Sequence, residues 1–139
     1  MSCDLETGNY NVLSYRDGNS VNTCPSVAPA EVVVLTDVTP VRVMRVQGPP
    51  DCTYNIYVSD GHVKPVEENL LQAAITRDMP REWIITHHPG LGAYTVVLRD
   101  EPILAWTDLE NAPGCDRRLR LTPLNGSVPP QLFRFVRVA

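Results

Sequence analysis

Along most of the chain, apolar residues return at every second position rather than at every third or fourth. Tyr10 and Val12, Val41 and Val43, the run Tyr54, Ile56 and Val58, Leu119 and Leu121, and Phe133 and Phe135 all keep that period. A period of two marks a strand with one buried face, because successive side chains point to opposite sides of a sheet. The spacing predicts strands near 9–15, 19–23, 32–36, 41–46, 53–58, 62–66, 70–76, 82–87, 93–98, 103–107, 118–122 and 132–138. One stretch departs from the pattern. Residues 67–74 have good helix propensity and read as a short turn or approach loop leading into a strand.

The strand marks also recur over longer distances. Displaced by 40 residues, the segment 35–58 falls without a gap on 75–98: Leu35-Thr36 meets Ile75-Thr76, Pro40 meets Pro80, and Val43 meets Trp83. Further on, Pro49 meets Pro89, Tyr54 meets Tyr94, Ile56 meets Val96 and Val58 meets Leu98. Leu121-Thr122, Pro130-Gln131-Leu132-Phe133 and the opening Gly8-Asn9-Tyr10-Asn11-Val12 repeat the same marks with other loop lengths. An internal repeat of this period signals units that bury their apolar faces only against one another. We therefore expect an all-β chain, a single β-trefoil domain over 1–139, with twelve strands in three pseudo-repeats of four near 8–50, 51–90 and 91–139. In such a fold Tyr10, Tyr54 and Tyr94, and likewise Val43, Trp83 and Phe133, are core residues rather than a ligand platform.

Composition supports this picture. Thirteen prolines and eight glycines in 139 residues disfavour helical bundles, since proline in a helix interior costs about 3 kcal/mol. A hydrophobic share of 43% with 20% charged residues is that of a globular chain. The net charge of −4 argues against a nucleic-acid or anionic-membrane partner. Eleven arginines accompany a single lysine, Lys64. The first residues lack the basic and apolar regions of a signal peptide and no apolar run is long enough to span a bilayer, so a leaderless, cytoplasmic monomer is expected. Cys3, Cys24, Cys52 and Cys115 fit no zinc spacing; they allow three disulfide connectivities, but in a reducing compartment they are expected as free thiols.

Catalytic and cofactor motifs are lacking. His62, His87 and His88 show no metal-binding spacing, the last two point to opposite faces of a strand, and all three are expected at solvent-exposed positions. Phosphate-cradling glycine loops are absent. The chain therefore reads as a non-enzyme with no cofactor and no metal, whose function lies in loops held by a rigid frame. Three segments carry the candidate chemistry. The loop 22–29, with Asn22, Thr23, Cys24, Pro25, Ser26 and Val27, is bracketed by two prolines. The loop 123–130, with Leu124, Asn125, Gly126 and Ser127, joins an Asn-Gly turn signal to three prolines. The dibasic step Arg117-Arg118 could offer an arginine to a protease specificity pocket. Proline-stiffened exposed loops lose little entropy on binding, which suits a substrate-like protease inhibitor as well as mere stability.

Several of these marks together resemble a known group. The Gly-x-Tyr-x-Val strand opening at Gly8, Trp83-Ile84-Ile85, Gly92-Ala93-Tyr94-Thr95-Val96, Ala105-Trp106, Leu121-Thr122-Pro123 and the closing Gln131-Leu132-Phe133-Arg134-Phe135 are similar to the small β-trefoil protease inhibitors of mushrooms, the mycospin and mycocypin families. The resemblance implies a cytosolic inhibitor of trypsin-like or papain-like proteases, with no cofactor and a protease as partner. Members use different loops, so no inhibitory residue transfers by motif. The paired-glycine loops of some cysteine-protease inhibitors in this group are missing, which favours serine proteases. Asn69, in the loop of the middle unit, sits where an asparagine could engage a legumain-type endopeptidase, a weaker candidate. The main alternative is a ricin-B-like lectin, whose Gln-x-Trp repeat mark survives here only as Gln131-Leu132-Phe133.

Overall fold

The computed structural model describes residues 5–25, 29–47, 50–109, 113–126 and 128–138. Twelve strands carry the chain: β1 (Gly8–Ser14), β2 (Ser20–Thr23), β3 (Ala30–Leu35), β4 (Val41–Val46), β5 (Thr53–Val58), β6 (Gly61–Pro65), β7 (Leu71–Ala74), β8 (Trp83–His88), β9 (Ala93–Leu98), β10 (Glu101–Thr107), β11 (Arg120–Pro123) and β12 (Phe133–Arg137). All pair antiparallel. Strands β1, β4, β5, β8, β9 and β12 close into a ring, each paired with the next and β12 returning to β1. Closure removes the unpaired edges that an open sheet of short strands would expose.

The other strands form three hairpins, β2–β3, β6–β7 and β10–β11. These meet one another: Ala30 pairs with Ala73, Val33 bridges to Arg118, and Leu70 bridges to Arg120. Backbone bonds from Leu71 N to Leu119 O (3.1 Å), Leu119 N to Val32 O (3.0 Å) and Val34 N to Arg117 O (3.0 Å) tie the three together. Loops that leave this layer are thus mounted on a mutually braced base.

The period-two residues fill the centre. Val43, Trp83 and Phe133, which the repeat places in register, are all fully buried. Trp106 from β10 packs edge-on against Trp83 (5.7 Å) and Phe133 (5.9 Å), joining hairpin layer to ring. Tyr10 and Tyr54 are buried as well, and their hydroxyls donate to the carbonyls of Glu6 (2.7 Å) and Leu5 (2.6 Å), pinning the segment before β1. Tyr94 is half-buried, edge-on to Phe135 at 5.2 Å.

Three expectations need correction. The strand anticipated at 70–76 ends at Ala74, and Ile75 is 81% exposed, because the chain turns outward once the pairing of β6 with β7 ends at His62 and Ala74. His62 is buried rather than exposed: it sits beside Gly61, where an added Cβ would lie 2.6 Å from the backbone of Ala73, so the two strands approach closely. Burial, with Lys64 nearby, pushes its imidazole pKa below the ordinary value. Finally, the thiols are not free. Cys24 and Cys115 form a disulfide, and Cys52 is also disulfide-bonded; Cys3 lies outside the described residues. Residues 67–74 divide into a 3₁₀ turn at Glu67–Asn69 and strand β7.

Candidate functional site

The loop that joins β2 to β3 is rooted more firmly than its length requires. Thr23 pairs with Val32 at its base, and the Cys24 amide donates to Glu31 O at 2.9 Å. One residue further out, the Cys24–Cys115 disulfide staples the loop to the segment between β10 and β11. Thr23 Oγ1 and Ser59 Oγ, 2.9 Å apart, add a tie to the β5–β6 turn. Pro25 and Pro29 are exposed at the two ends of the intervening segment. Ser26 and Val27 lie outside the described residues.

Asn22 proves to belong to the root and not to the exposed loop. It is buried, its amide donates to Asp37 O (3.0 Å), and its Oδ1 accepts from the Thr23 amide (2.8 Å). Cys24 is buried too. Of the six residues expected here, three are thus structural supports and Pro25 is presented.

Arg117 corrects the expectation of a presented arginine. Only 7% of it is exposed, and its guanidinium contacts two carboxylates. Nε donates to Asp108 Oδ1 at 2.8 Å and Nη2 to Oδ2 at 2.5 Å, while Nη1 reaches Asp17 Oδ2 at 2.8 Å. Asp108, itself buried, also accepts from Ser14 Oγ. The pair with Asp108 raises the Arg117 pKa still further, and the bond from Arg117 holds the Asp17 carboxyl below its ordinary range against some desolvation. This side chain is turned into the fold and is not presented at the surface. Arg118 is also engaged, with Nη1 3.1 Å from Glu31 and Nη2 3.3 Å from Leu71 O.

The loop 123–130 is organised by one buried side chain. Gln131 donates from Nε2 to Pro123 O (2.9 Å), Thr122 Oγ1 (3.1 Å) and Thr107 Oγ1 (3.2 Å), and its Oε1 accepts from the Asn125 amide (2.9 Å). Leu124, Asn125 and Gly126 stand exposed above it, Gly126 with φ +59°; Ser127 lies outside the described residues. Asp108 N donates to Pro130 O at 2.8 Å, so this loop and the Arg117 cluster share a strut. Asn69 is exposed and left-handed (φ +60°), after an equally left-handed Glu68 (φ +61°). It stands at the β6–β7 tip, in the turn before Leu71, whose carbonyl Arg118 reaches.

Sequence reasoning missed the supports. Asp17 lies a hundred residues from Arg117 and Asp108 only nine, but neither spacing marks a carboxylate as the partner of that arginine. Among the described residues no three His, Cys, Asp or Glu side chains gather as metal ligands. His87 lies against Tyr94 (4.7 Å) and His88 beside Thr95 Oγ1 (3.1 Å). No helix in the described residues is long and apolar enough to cross a membrane.

Solved structures share this architecture. A proteinase inhibitor from Coprinopsis cinerea superposes with a TM-score of 0.81 at 24% identity, over 97% of this chain and 100% of that one. The Rhizoctonia solani agglutinin gives 0.77 at 10% identity, over 99% and 100%. A designed 3-fold symmetric protein, ThreeFoil, gives 0.72 at 17% identity, over 94% and 99%. At these identities the likeness is one of fold. No family model and no curated protein matches the chain.

Proposed function

We propose that this chain is a β-trefoil of three four-strand units that acts as a non-enzymatic, reversible inhibitor of serine proteases of the trypsin type. The observation that carries the reading is the rooting of the β2–β3 loop. A proline-bounded segment is fixed at its base by strand pairing, the Cys24–Cys115 disulfide and the Thr23–Ser59 contact. Such a loop enters a protease cleft with most of its ordering entropy already lost, which favours tight and long-lived docking. The Coprinopsis cinerea neighbour, a proteinase inhibitor of the same fold, supports the reading.

The test is a panel of trypsin, chymotrypsin, subtilisin, papain and legumain, run beside a glycan array, since an agglutinin shares the fold. Inhibition of a serine protease at nanomolar to micromolar concentration, without glycan binding, is the expected result. Glycan binding with no inhibition of any protease would replace this reading with a lectin; inhibition confined to papain or legumain would replace it with a cysteine-protease inhibitor.

A further inference from the structure

Arg117 is buried between two carboxylates, Arg118 is paired with Glu31, and residues 24–29 contain no basic side chain. A trypsin-like target therefore needs its arginine from elsewhere on the surface. The loop between β7 and β8 supplies one. Ile75 and Met79 are 81% and 87% exposed, and between them stands Arg77, exposed and without an ion pair among the described residues.

The residues that alternate with these face the other way. Thr76 Oγ1 lies 3.2 Å from His62 Nε2, and the Asp78 carboxylate lies 3.6 Å from Lys64 Nζ. His62 and Lys64 stand two apart on β6, on one face of that strand. The chain bends over 76–78, so Arg77 occupies the apex with an anchor on either side. Pro80 restricts φ just beyond, and the backbone is back in the sheet at Glu82, whose carbonyl accepts from the Arg99 amide at 3.0 Å. Arg81, also exposed, adjoins that return to the sheet instead of the bend.

The loop's position also fits. Ala30 at the start of β3 pairs with Ala73 near the end of β7. The β2–β3 and β7–β8 loops therefore leave neighbouring antiparallel strands at the same end. A projecting guanidinium matches the acidic primary pocket of an arginine-selective serine protease, and Ile75 and Met79 offer apolar contact on either side. We propose that Arg77 enters the primary specificity pocket of such a protease, with the exposed Pro25 and Pro29 at the ends of the β2–β3 loop facing the same enzyme molecule. The inference rests on the inhibitor reading above.

Trypsin titrated with wild-type protein, R77A, R77K and, as a control, R81A tests it, with the melting temperature of each variant measured alongside. The expected result is one inhibitor per trypsin, with R77A weakened by about a hundredfold, as for a central interface anchor. R77K should stay within about tenfold of wild type, and R81A and all melting temperatures should be unchanged. R77A inhibiting trypsin as well as wild type overturns the assignment of Arg77. So does wild-type protein that inhibits chymotrypsin or subtilisin but not trypsin; the first outcome leaves the inhibitor reading whole, and the second leaves serine-protease inhibition standing without its trypsin preference. Wild-type protein inactive on every serine protease overturns the inhibitor reading and this inference with it.

Discussion

Removing the Cys24–Cys115 disulfide, as the double variant Cys24→Ala/Cys115→Ala, probes stability and loop geometry together. The bond closes a chain segment of sequence separation 91. In the chain-entropy treatment, losing a cross-link over a loop of that size returns about 4.6 kcal/mol of freedom to the unfolded state. The disulfide at Cys52 already restricts that state, so the realised loss should be nearer 3–4 kcal/mol. For a domain of this length that corresponds to a drop of roughly 10–15 °C in melting temperature. Differential scanning calorimetry on the double variant measures it directly. The barrel core is untouched by the change, so the variant should still fold, with its β2–β3 loop held only by strand pairing and the Thr23–Ser59 contact. Protease inhibition should weaken in parallel, because the loop must now be ordered on docking. A melting temperature within about 2 °C of wild type would refute the reasoning, since it would mean the link constrains neither state.

Other consequences follow from the buried charges and the loop supports. Arg117→Ala takes the Arg117 guanidinium away from buried Asp108 and should cost about 3–5 kcal/mol, read as a large shift in the urea midpoint; it should act through stability and not by deleting a specificity arginine. The Asp17 carboxyl is held below its ordinary pKa chiefly by Arg117, so this pair adds stability above about pH 4 that is lost as pH falls through the lower folded value. Asp17→Asn should flatten that acid limb in pH-dependent denaturation. His62, with its folded pKa lowered by burial, works over a higher range: below about pH 6.5 the unfolded chain takes up a proton that the folded chain resists, so stability declines, and His62→Gln should reduce the decline between about pH 7 and 5. Gln131→Ala removes the acceptor for the Asn125 amide and should increase hydrogen exchange at residues 124–126, with a stability loss of about 1–3 kcal/mol.

Much of the frame was legible because period-two burial is a local property. Val43, Trp83 and Phe133 could be placed in the core from their spacing and from the Pro-x-x-Φ mark alone, and strands β4, β5 and β9 begin and end where the pattern puts them. The same logic overextended β7. Ile75 matches Leu35 in sequence but stands in solvent, since an apolar residue after the last paired position obeys the loop and not the sheet. The loop supports were hidden for a different reason. Arg117 looks like a surface dibasic step until Asp17, a hundred residues away, and Asp108 are brought against it. The cysteine state was misjudged on compartment, whereas the pairing of Cys24 with Cys115 depends on two loops meeting in space.

The central claim is that a rooted β2–β3 loop inhibits a serine protease. Replacing residues 25–29 by a Gly/Ser segment of equal length, while keeping Asn22, Thr23 and Cys24 as the root, tests it most directly when the inhibition constant for trypsin is measured beside the melting temperature. The account predicts inhibition weakened at least about tenfold with the melting temperature nearly retained, the affinity loss expected when interface contacts and loop rigidity are removed together. Trypsin inhibition equal to that of the wild-type protein would contradict it.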